Sequence, residues 1–184
     1  MERDMTWKTL KKEYLIQRPW LTARRDVVEL PDGRINNEYY VLEYPDWVNI
    51  IAITNDNKFV FVRQYRYALG KTVDELVAGV IEKGEKPLAA AKRELLEETG
   101  YAGGEWKEIM QLSGNASTTN NLTHCFIAKG VEKVAGQHLD ATEDIQVEIF
   151  SEEEVLGILK RGELWQSLMA APLWRYFAEK WANK

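Results

Sequence analysis

The stretch "AGVIEKGEKPLAAAKRELLEETGY", residues 78–101, constrains this chain more than any other. Pro87 suits a first helical turn and Gly100 suits a C-terminal cap, which predicts one helix between them. An α-helix turns about 100° per residue, so Glu94, Glu97 and Glu98 share an arc of roughly 100° on one face. Like charges three and four residues apart repel, and a chain that keeps all three needs something to offset the cost. Leu88, Leu95 and Leu96 mark the opposite face for a core contact. Ala90 and Ala91 lie near the carboxylate face, where small side chains leave room for metals and a substrate.

Strand signals surround that helix. "VVELPDGRINNEYYVLEYP" places a turn at Pro31, Asp32 and Gly33 between two extended runs. Residues 48–54 and 58–65 are rich in β-branched and aromatic residues and read as a hairpin, with Asn55, Asp56 and Asn57 as its turn. "KTVDELVAGVIEKGE" reads as a short strand running into a glycine-containing loop. "WKEIMQL", "THCFIAKGVEKV" and "EDIQVEIF" read as further strands, with "SGNASTTNN" as a polar linker between the first two. Ser151 and Glu154 form a capping box for a helix through Lys160. A last helical pattern runs from about Glu163 to Trp181, with a bend or break expected at Pro172. Strands, helix, strands, helices in that order predict an α/β (α+β) sandwich rather than a doubly wound sheet.

With 184 residues and 45% apolar content, the chain is long enough for one domain and a small appendage. Its net charge of −5 disfavours a general nucleic-acid or anionic-membrane surface, while leaving room for an anionic small molecule held through cations. The lone Cys125 makes no intramolecular disulfide, which fits a reducing, cytoplasmic location. "MERDMTWKTLKKEY" has no apolar core of a signal peptide, and no apolar run is long enough to span a membrane. His124 and His138 are too few and too far apart for a zinc site. Cys125, inside an apolar strand, reads as a small buried hydrophobe.

Three carboxylates on one helical face are the ingredients of a Mg²⁺ or Mn²⁺ site, because hard cations take oxygen ligands. Taken alone, "RELLEE" better suits a solvated helix face. Its surroundings separate the two readings. Gly79, five residues, Glu85, seven residues, Arg93-Glu94-Leu95, one residue, Glu97-Glu98, one residue and Gly100-Tyr101 together resemble the Nudix box. At average composition, seven fixed positions match by chance about once in 10⁸ start sites. Tyr101 stands where an aliphatic is more usual.

The resemblance implies a Nudix-type α/β/α sandwich with a mixed sheet, hydrolysing nucleoside diphosphates linked to another moiety with Mg²⁺ or Mn²⁺. It implies Glu94 and Glu98 as main metal ligands and Glu97 as a further ligand or water-orienting group. It also implies the backbone carbonyl of Ala78 as a ligand, and Arg93 with Glu85 as structural support. The flank "VRQYRYALGKTVDELVAGVIEKGE" is similar to the ADP-ribose pyrophosphatase group, with Val77 replacing a proline, and the likeness covers roughly residues 38–164. Arg66 then becomes a candidate for the diphosphate or a ribose, and Glu75 for the terminal sugar or merely the start of a turn. In "LDATEDIQVE", Glu143 matches a loop glutamate that acts as ligand or general base, with Asp144 as its alternative. The group often carries a proline about fifteen residues beyond the box; "SGNASTTNN" has none, which leaves GDP-mannose and other nucleoside diphosphate sugars open.

The N-terminal strands, residues 1–46, resemble the small sheet region through which this group dimerises, leaving 47–184 as the catalytic domain. Trp20, ahead of Tyr39, Tyr40 and Trp47, is the candidate for stacking on a base, although each aromatic taken singly better suits a core or dimer interface. A non-catalytic nucleotide sensor on the same fold is the rival from another class. Three mutually repelling glutamates argue against it, because a sensor need not keep them.

Overall fold

The computed structural model describes residues 3–182. The first of its two compact units holds the chain up to Pro45 together with Ser113–Asn121. Strands β1 (Lys8–Arg18), β2 (Leu21–Glu29) and β3 (Ile35–Glu43) form an antiparallel meander. Gly33, with φ of 84°, turns the chain between β2 and β3, a conformation glycine adopts without steric cost. The polar stretch read as a linker belongs to this unit: the Leu42 N–H donates to the Thr118 carbonyl (2.7 Å) and the Tyr39 hydroxyl to the Ser117 carbonyl (2.8 Å). Buried Asp26 is held by the Arg24 guanidinium at 3.0 Å.

The second unit contains strands β4 (Trp47–Thr54), β5 (Phe59–Arg66), β6 (Lys71–Val80), β7 (Tyr101–Leu112), β8 (Thr123–Lys133) and β9 (Ile145–Phe150). Its helices are α1 (Pro87–Thr99), α2 (Glu152–Arg161) and α3 (Ser167–Ala182). The sheet order is β7-β8-β4-β6-β5-β9, with β4 and β8 parallel and the other pairs antiparallel. The expected β4–β5 hairpin closes only at Ala52–Val60 and Ile53–Phe59, beside its turn. Beyond that point β6 takes the place between the two strands, so β4 pairs with β6 at Trp47–Val80 and Ile50–Val77. Asn57 makes the turn at φ 60°, a conformation asparagine tolerates.

Side chains alternate across a strand, and β4 is buried on both faces. Val48, Ile50 and Ala52 pack with α1, whereas Ile51 and Ile53 pack with α2 and α3. The result is the expected sandwich of helices on both faces of a mixed sheet. The capping box at the head of α2 is present in both directions: Ser151 accepts from the Glu154 N–H at 3.3 Å, and Glu154 accepts from the Ser151 N–H at 2.7 Å. No helix among the described residues is long and apolar enough to cross a membrane.

Two local expectations are corrected. Helix α1 does not bury Leu88 and Leu96, which are 41% and 39% exposed. It buries Ala90, Ala91 and Leu95 against the sheet, and Glu98 lies on that same inward face. The alanines leave no room for substrate; they let the helix approach closely enough to carry Glu98 inside. Helix α3 starts at Ser167 rather than near Glu163, and it runs unbroken through Pro172. Proline removes the N–H that the Leu168 carbonyl would accept four residues earlier. The buried Asn49 side chain on β4 donates to that carbonyl at 2.6 Å instead.

Candidate active site

Helix α1 ends where the sequence predicts. Gly100 takes φ 74° and its N–H caps the Leu96 carbonyl at 2.8 Å. This fixes the last turn, which carries the glutamates. Arg93 organises them. Its Nε and Nη2 fork onto Glu85 at 3.1 and 3.0 Å, and Nη2 also donates to the Val80 carbonyl at 3.0 Å. Its Nη1 reaches Glu94 at 2.8 Å and Glu97 at 3.0 Å. One guanidinium therefore pins the loop before the helix, the end of β6 and two of the three helical carboxylates. The Glu85 hydrogen bond leads the causes that raise the Arg93 pKa further above its already high ordinary value.

Glu98 is the carboxylate Arg93 does not touch. It is buried and accepts from the Ala78 N–H at 3.4 Å. Burial, and then the neighbouring charge of Glu94, push its carboxyl up to about 8. Burial raises Glu94 as well, with Arg93 pulling the other way. Gly79 supplies the space: a Cβ there would collide with the Glu94 carboxylate. Glu143 sits in the exposed loop before β9, where its carboxylate accepts from the Asp140 N–H at 2.9 Å. It is still near enough for its charge to raise both Glu94 and Glu98. Asp144 is exposed in the same loop.

Among the described residues, no three His, Cys, Asp or Glu side chains stand together as a ready metal cage. Arg93 occupies Glu94 and Glu97, and the Ala78 amide occupies Glu98. The donor chemistry nevertheless fits a hard divalent cation. Buried carboxylates with raised pKa values, all oxygen donors, beside a glycine that clears space, are stabilised by a bound cation.

At the end of β6 a cleft of about 490 Å³ opens, lined among others by Trp47, Asn49, Arg66, Gly79, Gln166 and Met169. Arg66 does not stand free in it. Its Nε and Nη2 fork onto Glu75 at 3.1 and 2.7 Å. Glu75 is only 2% exposed, and its oxygens also accept from Gln64 (3.5 Å) and Gln166. The expectation of Glu75 as a sugar contact meets a carboxylate already surrounded by the chain's own donors, with Arg66 between it and the cleft. Gln166 and Asn49 were not singled out by the sequence. Nothing local marks either one, because Gln166 acts 91 residues away and Asn49 acts 119 residues away.

The comparisons with known proteins fall on this site and on both units. A family profile for the NUDIX domain matches residues 44–171. The chain belongs to the Nudix family. A second profile, the nucleoside diphosphate sugar hydrolase N-terminal domain, matches residues 7–42 of this Nudix hydrolase. The "Methanol dehydrogenase activator" of Bacillus methanolicus is 35% identical over 163 residues, covering 87% of this chain and 86% of the relative. The "ADP-ribose pyrophosphatase" of Bacillus subtilis (strain 168) is 29% identical over 169 residues, covering 91% of each. The "GDP-mannose pyrophosphatase" of Escherichia coli O9:H4 (strain HS) is 26% identical over 168 residues, covering 85% of this chain and 87% of the relative. A crystal structure of an ADP compounds hydrolase superposes with a TM-score of 0.83 at 18% identity, over 99% of this chain and 97% of that one, and shares the fold.

The remaining expected residues of the Nudix hydrolase fall in varied places. Trp20 stands in the turn between β1 and β2 and is 84% exposed. Tyr39 packs edge-on against Trp7, Tyr40 is exposed, and Trp47 lines the cleft. The His124 ring pairs with Glu108 at 2.8 Å. Cys125 is fully buried, and burial pushes its thiol up to about 11.

Proposed function

We propose that this chain hydrolyses the diphosphate bond of ADP-ribose and related nucleoside diphosphate sugars, releasing a nucleoside monophosphate and a sugar phosphate. The observation that carries this reading is the buried Glu98 with its neighbour Glu94 beside Gly79, with Arg66 and Gly79 lining the same cleft. The ADP-ribose and GDP-mannose pyrophosphatases, similar over most of their length, support the substrate class. Glu94 and Glu98 hold a divalent cation, Mg²⁺ or Mn²⁺, with the Ala78 carbonyl, Glu97 and Glu143 as further ligands. When bound, the cation neutralises phosphate charge and lowers the pKa of the attacking water. Arg93 and Glu85 keep the helix and its preceding loop in register. Glu143, on its exposed loop, accepts the water's proton, with Asp144 as the alternative. Arg66 holds the diphosphate, and Trp20 or Trp47 stacks on the base.

The N-terminal unit supports a homodimer by the number of large apolar side chains it exposes, among them Trp7, Leu10, Tyr14, Ile16, Leu21 and Ile35. The net acidity argues against nucleic-acid partners, and the lone thiol suits the cytoplasm.

The test is a panel of ADP-ribose, ADP-glucose, GDP-mannose and UDP-glucose with Mg²⁺, with products identified by mass and a chelator as control. A monophosphate from at least one member, abolished by the chelator, is expected. No cleavage of any member, with tight binding of one, favours a second reading. In that reading the chain is a regulator of a partner enzyme, in line with the name of the 35% identical relative.

A further inference from the structure

The geometry points to Gln166 as a positioning residue: it fixes Glu75, Glu75 fixes Arg66, and Arg66 thereby presents its unpaired edge to the substrate diphosphate. This inference rests on the diphosphate reading above.

Glu75 is a buried carboxylate on β6, and buried charge is tolerated only with donors around it. Arg66, which lines the cleft, supplies Nε and Nη2, leaving Nη1 with no hydrogen bond among the described residues. Gln166 supplies the donor to Oε1 from the segment just before α3. That segment is itself anchored. Leu168, two residues on, is tied to β4 through Asn49. Trp165, one residue back, lies under the Lys71 ammonium at 3.9 Å from its ring centre. Lys71 is the β6 residue opposite Arg66 in the β5–β6 register. Residues 165 and 166 therefore grip the same end of β6 at two points.

Without the Gln166 donor, Oε1 of Glu75 keeps only a long bond from Arg66 Nε at 3.3 Å, and Arg66 turns inward to shorten it. A guanidinium that must meet phosphate as a planar fork loses affinity when it rotates. The carboxylates of α1 keep partners of their own, Arg93 for Glu94 and Glu97 and the Ala78 N–H for Glu98, so the step they support is unaffected.

The experiment is a double-mutant cycle of Gln166→Met, nearly isosteric without a donor, and Arg66→Ala. It reads kcat and KM for ADP-ribose with Mg²⁺, and Kd for ADP by calorimetry, in all four proteins. Gln166→Met is expected to raise KM and Kd about tenfold, with kcat held within about twofold, as for loss of one hydrogen bond to a charged group. In the Arg66→Ala background it is expected to add nothing, the mark of residues acting in one chain. The same factor in both backgrounds, an unchanged KM and Kd, or a fall in kcat alone overturns the proposal. Should Gln166→Met melt early, Gln166→Asn keeps an amide too short to reach and is held to the same outcomes. A parent that binds ADP but cleaves no diphosphate sugar overturns the function while the Kd cycle still decides the role of Gln166. A parent that does not bind ADP overturns both.

Discussion

The side chain of Asn49 donates to the carbonyl of Leu168 across 2.6 Å, and this carbonyl is the one Pro172 leaves without its helical donor. A buried strand residue thus completes a helix that its own proline leaves incomplete, and it fixes α3 to the centre of the sheet. Asn49→Ala is expected to destabilise the protein by about 2 kcal/mol, since a buried carbonyl loses its partner. Pro172→Ala restores an N–H at that position, so Asn49→Ala should cost less than half as much in its background. Thermal unfolding of the four proteins checks this; equal costs in both backgrounds would refute the coupling.

Arg93 touches Glu85, Glu94, Glu97 and the Val80 carbonyl at once. Arg93→Ala leaves several carboxylates without their cation and is expected to cost about 3 kcal/mol, as for a broken, largely buried pair. Arg93→Lys keeps the charge but cannot fork, and should recover less than half of that loss. Denaturant titration measures both. A lysine variant as stable as the parent would show that charge alone suffices.

Gly79 is expected to tolerate no side chain. A Cβ there meets the Glu94 carboxylate, one of the groups placed at the cation. Gly79→Ala should lower kcat/KM by at least about 100-fold, as for loss of a charge-stabilising group. The fold should survive, because the collision is with the far end of a side chain. Steady-state kinetics with circular dichroism decide it, and an active Gly79→Ala protein would place the cation elsewhere.

Cys125 is fully buried, with its thiol pushed up to about 11 by burial. Only the thiolate reacts, so at pH 8 roughly one molecule in a thousand is reactive. Native protein is expected to resist an alkylating reagent for hours at pH 8 and to react fully within minutes in denaturant. The native rate should rise about tenfold per pH unit until near pH 11. Fast native labelling at pH 7 would show a thiol more accessible than the fold allows.

Much of this was legible locally. Pro87 and Gly100 bounded α1 because capping chemistry is a property of a few adjacent residues. Ser151 and Glu154 announced α2 for the same reason. What was not legible depended on distant partners. The place of β6 between β4 and β5 is a matter of strand order. The core face of α1 was found at Leu95 but misjudged at Leu88 and Leu96, because Ala90 and Ala91 read as open space, whereas a sheet packs onto them. Pro172 read as a break because Asn49, far away in the chain, supplies what proline removes. The box glutamates were found by spacing, but the inward position of Glu98 emerged only with the sheet beneath it.

The central claim rests on Glu98, and one comparison tests it most directly: hydrolysis of ADP-ribose by the parent and by Glu98→Gln, each with Mg²⁺ and each checked for folding. The amide keeps the size of the side chain and can still accept from the Ala78 N–H, while it offers a cation no charge, so the melting temperature should hold. The expected result is AMP and ribose 5-phosphate from the parent, with the rate of the variant lower by at least about 100-fold. A folded Glu98→Gln protein that cleaves ADP-ribose at the parental rate would contradict the account.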